Sequence, residues 1–248
     1  MCGGAGSFDR FAALRPFRLA GGDAAVRQPR RVALAVIWEL WGAAGIQNDR
    51  LAGFLRLSSA ELRPLSQMLE SGFRAPLTTS AGRLFDAVAS LLDVRQEVAF
   101  EGQAAMMLED IADPDQHDAY PLPLERWHSP DEAVTDVPRF MLDWGPLLEA
   151  VMEDSRRGRG VGMIAARFHN AMAEGIVRVA REAGQSQVAL SGGCFQNRLL
   201  SLRTTELLEA DGFEVLRHRQ VPANDGGLSL GQIAVAAAQL AAGKEPKE

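Results

Sequence analysis

The segment 156–248 alternates helical and strand-like stretches, and this order limits the possible folds more than any other feature of the sequence. Amphipathic spacing over 161–183 predicts a long helix, and the short apolar runs 187–190 and 214–216 predict strands. A helix that connects two neighbouring strands of one sheet requires those strands to be parallel. The sequence therefore predicts an α/β fold, with a parallel-containing sheet flanked by helices.

The region before this core is predicted to be mainly helical. Apolar residues recur at helical spacing in several stretches, among them one after Ser59, which we expect to cap its helix, and one over 140–154. The proline-rich stretch 113–138 predicts a loop or a short edge strand. We therefore divide the chain into an N-terminal extended segment (1–23), a mainly helical subregion (24–155) and an α/β nucleotide-binding core (156–248).

Composition excludes several classes of protein. The chain has 248 residues, of which 47% are hydrophobic, and this is enough to bury a sizeable core. A formal net charge of −6 argues against nonspecific nucleic-acid binding. Cys2 and Cys194 provide neither a disulfide framework nor a zinc motif, as in proteins of a reducing cytosol. Apolar runs fall well short of the ~20 residues of a membrane span, so we expect a cytoplasmic protein.

A glycine turn follows the first strand, in the sequence Leu-Ser-Gly-Gly-Cys-Phe-Gln-Asn over 190–197. Gly192 and Gly193 allow the backbone to approach an anion closely, and the next helix starts with unpaired amides and a positive dipole end. The turn could thus hold a phosphate without a lysine. A plain connection between strand and helix is the alternative, with Cys194 as a structural thiol.

A second turn, Asn-Asp-Gly-Gly over 224–227, follows the second strand and precedes a helix. We expect Asp225 to lie at the same sheet edge as Gly192 and Gly193, because ligands of open α/β sheets bind at this edge. A carboxylate beside a phosphate site commonly holds a divalent cation. A turn without a ligand is the alternative for this stretch.

Asp86 interrupts an otherwise apolar helical stretch, 80–89. An unpaired charge is costly to bury, so this carboxylate must face solvent, an ion pair or a ligand such as ribose hydroxyl groups. The four histidines, His117, His128, His169 and His218, do not have the spacing of a metal-binding pair, and we expect His169 to be a core or surface residue.

These segments together resemble the C-terminal part of the HypF family of hydrogenase-maturation carbamoyltransferases. The matching pieces, in family order, are 14–17, 21–25, 80–89, 100–102, 168–169, 190–193, 195–200, 224–228 and 230–232. The resemblance implies an actin/sugar-kinase-like (RNase H-like) lobe. It also implies site residues: Gly192, Gly193 and Asn197 contact the adenylate, Asp86 and Glu101 bind the ribose, and Asp225 ligates a divalent metal.

The family makes carbamoyl-adenylate from carbamoyl phosphate and ATP. It passes the carbamoyl group to the C-terminal cysteine of a partner, HypE, for the cyanide ligands of NiFe hydrogenase. The resemblance therefore implies ATP or AMP as the nucleotide and a HypE-like acceptor that supplies the thiolate nucleophile. The metal would serve as a Lewis acid.

Several parts of the family's architecture do not occur in this sequence: the acylphosphatase, zinc and adenylate-forming modules, and the first lobe with its His-x-x-x-His metal pair. We expect an incomplete carbamoyltransferase that carries half of a site, because Asp225 alone is too few ligands for a metal. An expression product, a proteolytic fragment and a natural split subunit are equally compatible with this. Two other functions stay open: a non-catalytic nucleotide- or partner-binding module, and a small-molecule O-carbamoyltransferase relative.

Overall fold

A computed structural model describes residues 2–4, 7–46, 54–127 and 137–241. In chain order the elements are β1 (Cys2–Gly4), β2 (Ser7–Asp9), β3 (Ala12–Leu14), β4 (Phe17–Arg18), α1 (Asp23–Arg27), α2 (Pro29–Ile46), α3 (Ser59–Ser71), β5 (Leu77–Thr78), α4 (Ala81–Leu91), α5 (Gln103–Asp110), β6 (Leu124–Arg126), β7 (Phe140–Leu142), α6 (Gly145–Arg156), α7 (Val161–Ala183), β8 (Gln187–Leu190), a 3₁₀ turn (Gly193–Gln196), α8 (Arg198–Ala210), β9 (Glu214–Arg217), a 3₁₀ turn (Asp225–Gly227) and α9 (Leu228–Ala241).

The chain forms two compact units. The α/β unit comprises the described residues of Met1–Ala13, Pro123–Asp143 and Met172–Glu248, and the helical unit those of Leu14–Leu122 and Trp144–Ala171. Both units combine segments that are distant in sequence. The division at 23 and 155, which follows the chain, remains a prediction. None of the helices within the described ranges is long and apolar enough to cross a membrane.

The helical unit has a core of aromatic and aliphatic side chains. Helix α4 buries nine of its 11 residues, and α2 buries the continuous run 32–37, because apolar side chains cover more than one face of each helix there. On α4, Phe85 meets Phe168 edge to face, with ring centroids 4.7 Å apart. Phe17 and Trp144 form a second edge-to-face pair at 5.7 Å. This packing fixes α4, which carries Asp86.

Two local expectations for the part of the chain before residue 156 were wrong. Helix α3 is capped by Ser58 rather than Ser59: Ser58 and Glu61 form a capping box, in which each side chain accepts a hydrogen bond from the other residue's amide. The stretch 140–154 is not a single helix. Its first residues form β7, which pairs antiparallel with β6 and lies between β6 and β3. The proline-rich stretch does contain a short strand, β6, as predicted.

The parallel strand pair that positions the glycine turns lies in the α/β unit. Strand β8 pairs with β9 in parallel register, from Gln187 opposite Glu214 to Leu190 opposite Arg217. Helix α8 connects the two strands, as predicted. A small core supports the pair, formed by Val177, Ala180, Leu190 and Leu208. Both turns therefore follow the carboxyl ends of neighbouring parallel strands, the first directly and the second after the loop 218–223.

Candidate functional site

A backbone hydrogen bond joins the two turns of the α/β unit. The amide of Gly192 donates to the carbonyl oxygen of Ala223, with N and O 2.7 Å apart. Ala223 immediately precedes the Asn-Asp-Gly-Gly turn. The predicted placement of Gly192 and Asp225 at one edge of the sheet is therefore confirmed, and the bond ties the first turn to the second.

The two turns and residues of helix α9 between Leu228 and Gln239 line an open groove of about 570 Å³. Its polar lining includes Ser191, Gly192, His218, Asn224, Asp225 and Gln232. Ligand pockets in proteins typically measure about 300–1,000 Å³, so the groove is large enough for a nucleotide-sized ligand. Asp225 is the one carboxylate among the described residues that line it.

Gly192 has a backbone conformation that favours glycine, with φ 99° and ψ 155°. A Cβ at this position would meet no described atom within 4 Å, so it would extend into open space. The second turn is stabilised by two internal hydrogen bonds. Asn224 accepts from the amide of Gly226 through its side chain at 3.0 Å, and from that of Gly227 through its carbonyl at 3.0 Å. Asp225 between them is exposed.

Two details of the predicted phosphate site differ from the structure. The expectation of unpaired amides fails at Gly192, because its amide donates to Ala223. Asn197 caps α8: its side-chain oxygen accepts from the amide of Leu200 at 2.8 Å. Gly193 and Asn197 flank the groove in sequence but do not line it, whereas Gly192 does.

His218 and Ser191 belong to the groove but were not singled out from the sequence. The Nε2 atom of His218 lies 3.0 Å from the hydroxyl oxygen of Ser191, within hydrogen-bonding distance. Both residues directly follow a strand, Ser191 after β8 and His218 after β9. This position could have indicated them from the sequence, because ligands bind at the carboxyl ends of parallel strands. The pair links the ends of β8 and β9 beside the groove.

A divalent cation would need more ligands than this groove offers. Nowhere in the described ranges do three or more His, Cys, Asp or Glu side chains cluster closely enough to hold a metal ion. Asp225 supplies one carboxylate, and hard cations take six or more oxygen ligands. The donor set of the described residues is thus incomplete for a metal.

Asp86 and Glu101 lie in the helical unit, where both contact Arg83. The Nη1 atom of Arg83 is 2.9 Å from Oδ2 of Asp86, and Nη2 is 3.5 Å from Oε1 of Glu101. The Asp86 side chain is 3% exposed and that of Glu101 is 80% exposed. The Asp86 carboxylate therefore satisfies the expectation of an ion pair, and Arg83 is a partner that sequence reasoning missed.

The environment of Asp86 is electrostatically unfavourable for its charge. Burial raises the pKa of Asp86 to about 7, Arg83 opposes this rise, and Glu101 adds to it. Arg83 lies close to Oδ2 but off the direction of a hydrogen bond, so this oxygen has no aligned donor among the described residues. A buried acceptor of this kind can accept a hydrogen bond from a hydroxyl group.

Of the other histidines, His117 and His169 are within the described residues and neither lines the groove. His169 is fully buried in the helical unit, where Nδ1 lies 2.7 Å from the carbonyl oxygen of Ala165. Burial lowers the pKa of His169 to about 4, so the ring is neutral at pH 7. His117 is exposed, and His128 lies outside the described residues. The expectation of a core histidine at 169 is confirmed.

Comparison with known proteins identifies the family. A family model described as the second subdomain of the Kae1-like domain of carbamoyltransferase matches residues 1–232. The chain belongs to this family. It is 35% identical over 242 residues to carbamoyltransferase HypF of Synechocystis sp., covering 92% of the chain and 30% of that relative. It is 40% identical over 241 residues to HypF of Rhodobacter capsulatus, covering 94% and 29%.

Solved HypF structures share the fold of this Kae1-like subdomain. Full-length HypF in a phosphate- and nucleotide-bound form superposes with a TM-score of 0.82 at 35% identity, covering 95% of this chain and 35% of that one. The resemblance to the C-terminal part of HypF is thereby confirmed. The chain spans about 30% of the length of the curated relatives that it matches.

Proposed function

We propose that this Kae1-like subdomain forms part of a carbamoyltransferase that transfers a carbamoyl group from carbamoyl-adenylate to the C-terminal cysteine of a HypE-like acceptor protein. The observation that carries the proposal is the hydrogen bond from Gly192 to Ala223, which brings the two turns into one groove in a member of this family. The same proposal includes the finer fold assignment, an actin/sugar-kinase-like (RNase H-like) lobe, and a cytoplasmic location.

The groove supports binding of the adenylate through its backbone. Gly192 has no side chain, and the space where a Cβ would lie is open, so a phosphate can approach the turn closely. Gly193 continues the turn, and Asn197 caps the following helix with its side-chain oxygen. We keep these three residues as the proposed contacts of the adenylate.

Asp225 is the proposed ligand of a divalent cation, with the other ligands supplied from outside the described residues. It is exposed in the groove, where a carboxylate next to an anionic ligand is repelled unless a cation lies between them. A bound cation would supply Lewis-acid polarisation of the acyl phosphate. The groove residues themselves bind and orient the nucleotide.

Ribose recognition is proposed for the carboxylates beside Arg83. Glu101 is exposed, and an ionised carboxylate only accepts hydrogen bonds, as two ribose hydroxyl groups require. Asp86 is buried but has an oxygen without an aligned donor. In this proposal Arg83 holds both carboxylates in place through its two terminal nitrogens.

The transfer reaction needs a nucleophile that the acceptor protein supplies. Its cysteine thiolate attacks the carbamoyl carbon, a C–S bond forms, and the bond from that carbon to the adenylate phosphate oxygen breaks to release AMP. The proton of the thiol passes to solvent. The first lobe and the adenylate-forming module belong to the proposed complete enzyme, which agrees with the fraction of HypF that this chain spans.

Calorimetric titration with ATP and magnesium tests the proposal. We expect measurable binding by the wild-type chain, weakened about tenfold by Asp225→Asn or Glu101→Gln, because each change removes a charged contact. Glu209→Gln and Asp115→Asn are controls, since both residues are exposed carboxylates in the same respective units. The titration is then repeated with the acceptor protein. Binding of the acceptor without any nucleotide binding would instead favour a non-catalytic interaction module.

A further inference from the structure

A second cavity adjoins the groove within the α/β unit and has a different charge. It has a volume of about 430 Å³, and its polar lining includes Gln196, Ser201, Arg217, His218 and Arg219. His218, Pro222 and Ala223 line both cavities and thus form a shared wall. The groove contains Asp225 and no Arg or Lys among its described lining residues, whereas the described lining of the second cavity contains two arginines and no Asp or Glu.

The two arginines of this basic cavity differ from other arginines of the α/β unit in having no ion-pair partner among the described residues. Elsewhere in the same unit Arg181 pairs with Asp211 at 2.5 Å, and Arg203 pairs with Glu206 at 3.5 Å. Arg217 and Arg219 make no ion pair within the described part of the chain. Both arginines are exposed, so their guanidinium groups are solvated and accessible to an anion that enters the cavity.

Strand geometry explains why both arginines line this cavity. Arg217 is the last residue of β9, and Arg219 follows two residues later, the spacing that places side chains on the same side of an extended chain. His218 between them lies within hydrogen-bonding distance of Ser191 in the groove. The end of β9 thus presents both arginines to the second cavity, whereas the imidazole of His218 lines both cavities.

We propose that the basic cavity is an oxyanion subsite in which Arg217 and Arg219 anchor a phosphate or a carboxylate group. Guanidinium groups bind both kinds of anion through paired, charge-assisted hydrogen bonds. The subsite deepens the proposed function and rests on it for the biological source of the anion. One source is a phosphate released or carried by a substrate, and the other is the terminal carboxylate of the acceptor's C-terminal cysteine.

The shared wall gives this subsite a place in the reaction. In the terminal cysteine of an acceptor, the carboxylate and the thiol belong to the same residue. A carboxylate anchored beyond the wall would thus keep the thiol within one residue's reach of the groove that holds the acyl-adenylate. Such anchoring would select a cysteine at the chain end over an internal one. If the subsite binds phosphate instead, this phosphate would lie next to the groove, as a group that enters the groove or leaves it.

Binding of two probes to the intact chain tests the subsite. The probes are inorganic phosphate and a short peptide that ends in cysteine with a free carboxylate, with the amidated peptide as its partner control. We expect Arg217→Gln/Arg219→Gln to weaken one probe about tenfold or more and each single variant to weaken it less, with a smaller effect at high ionic strength. Arg181→Gln is the matched control, because it removes the same charge from the same unit.

The outcomes separate the two sources and the two proposals. If the double variant loses only phosphate binding, the subsite is assigned to phosphate. If it loses binding of the carboxylate peptide, and the amidated peptide does not bind to the wild-type chain, the subsite is assigned to the acceptor's terminus. The proposal is overturned if the double variant binds both probes as Arg181→Gln does. Titration of the same variants with ATP reports on the groove separately, so a chain that binds no nucleotide still gives a result for the subsite. Urea unfolding confirms that the exposed substitutions leave the fold intact.

Discussion

Asp86→Asn should make the free energy of unfolding nearly independent of this side chain between pH 5 and pH 8. In the wild-type chain we expect the free energy of unfolding to fall by about 2–3 kcal/mol over the same range. The carboxyl group of Asp86 has a pKa of about 7 in the folded chain, against an ordinary value of 3.8. An acid with a raised folded pKa binds its proton more tightly in the folded than in the unfolded state. Its contribution to stability is complete below pH 3.8 and is lost as the pH rises through 7.

Urea unfolding at several pH values, followed by tryptophan fluorescence, measures this effect. Trp144 is fully buried in the helical unit and reports on the unit that contains Asp86. His169 contributes with the opposite sign, since its lowered pKa costs stability as the pH falls from 6.5 to about 4. The comparison of wild type with Asp86→Asn cancels this contribution because both proteins contain His169.

Arg83 and an exposed pair provide the controls. Arg83→Met should move the loss of stability in the wild-type background to higher pH, because Arg83 opposes the raised pKa of Asp86. Arg156 and Glu153 have the same three-residue spacing on an exposed helix face, and Arg156→Met should leave the fall in stability between pH 5 and pH 8 unchanged, because the lowered pKa of Glu153 lies below this range. Parallel stability profiles for wild type and Asp86→Asn would show that Asp86 does not titrate in this range.

Gly192→Ala should abolish most nucleotide binding, with an affinity at least about tenfold lower than that of wild type. The backbone at Gly192 has φ 99° and ψ 155°, and a residue with a Cβ held there is strained by about 1–3 kcal/mol. Relief of this strain would rotate the turn and break the hydrogen bond to Ala223. The same methyl group would occupy the space through which a phosphate approaches.

The matched control for this change is Gly184→Ala. Gly184 lies in the same unit, also has a positive φ (64°), and has no described atom within 4 Å of its Cβ position. It is not among the residues that line the groove. We expect its replacement to cost about 1 kcal/mol of stability without any change in nucleotide affinity. Equal losses of affinity in both variants would mean that stability, and not the turn, governs binding.

Sequence periodicity predicted the elements after residue 160 well and was less reliable for a short strand earlier in the chain. The bounds of α7 and β8 agree with the sequence prediction, because a long amphipathic pattern and a short apolar run before glycines are strong local signals. At Phe140 the local signal fails. A three-residue apolar run fits either a helix or a strand, and pairing with β6 decides the outcome. That pairing involves residues distant in sequence.

The candidate site was partly predictable for similar reasons. Strand order placed Gly192 and Asp225 at one edge, which the hydrogen bond to Ala223 confirms. Sequence reasoning did not identify the side chains that contact or neighbour the predicted site residues. Arg83 lies three residues before Asp86, and opposite charges at this spacing on a helix are a usable signal. Arg217 and Arg219 show the period of two of an extended chain, but only the folded unit shows that no carboxylate lines their cavity among the described residues.

Amide chemical shifts of the ¹⁵N-labelled chain, recorded during titration with ATP and magnesium, test most directly whether the two turns form one ligand groove. We expect the largest shifts at residues 191–193 and 224–228, with both groups following one binding curve. Gly192→Ala should suppress the shifts of both groups together. Shifts confined to one turn, or found only outside both, would contradict a shared groove.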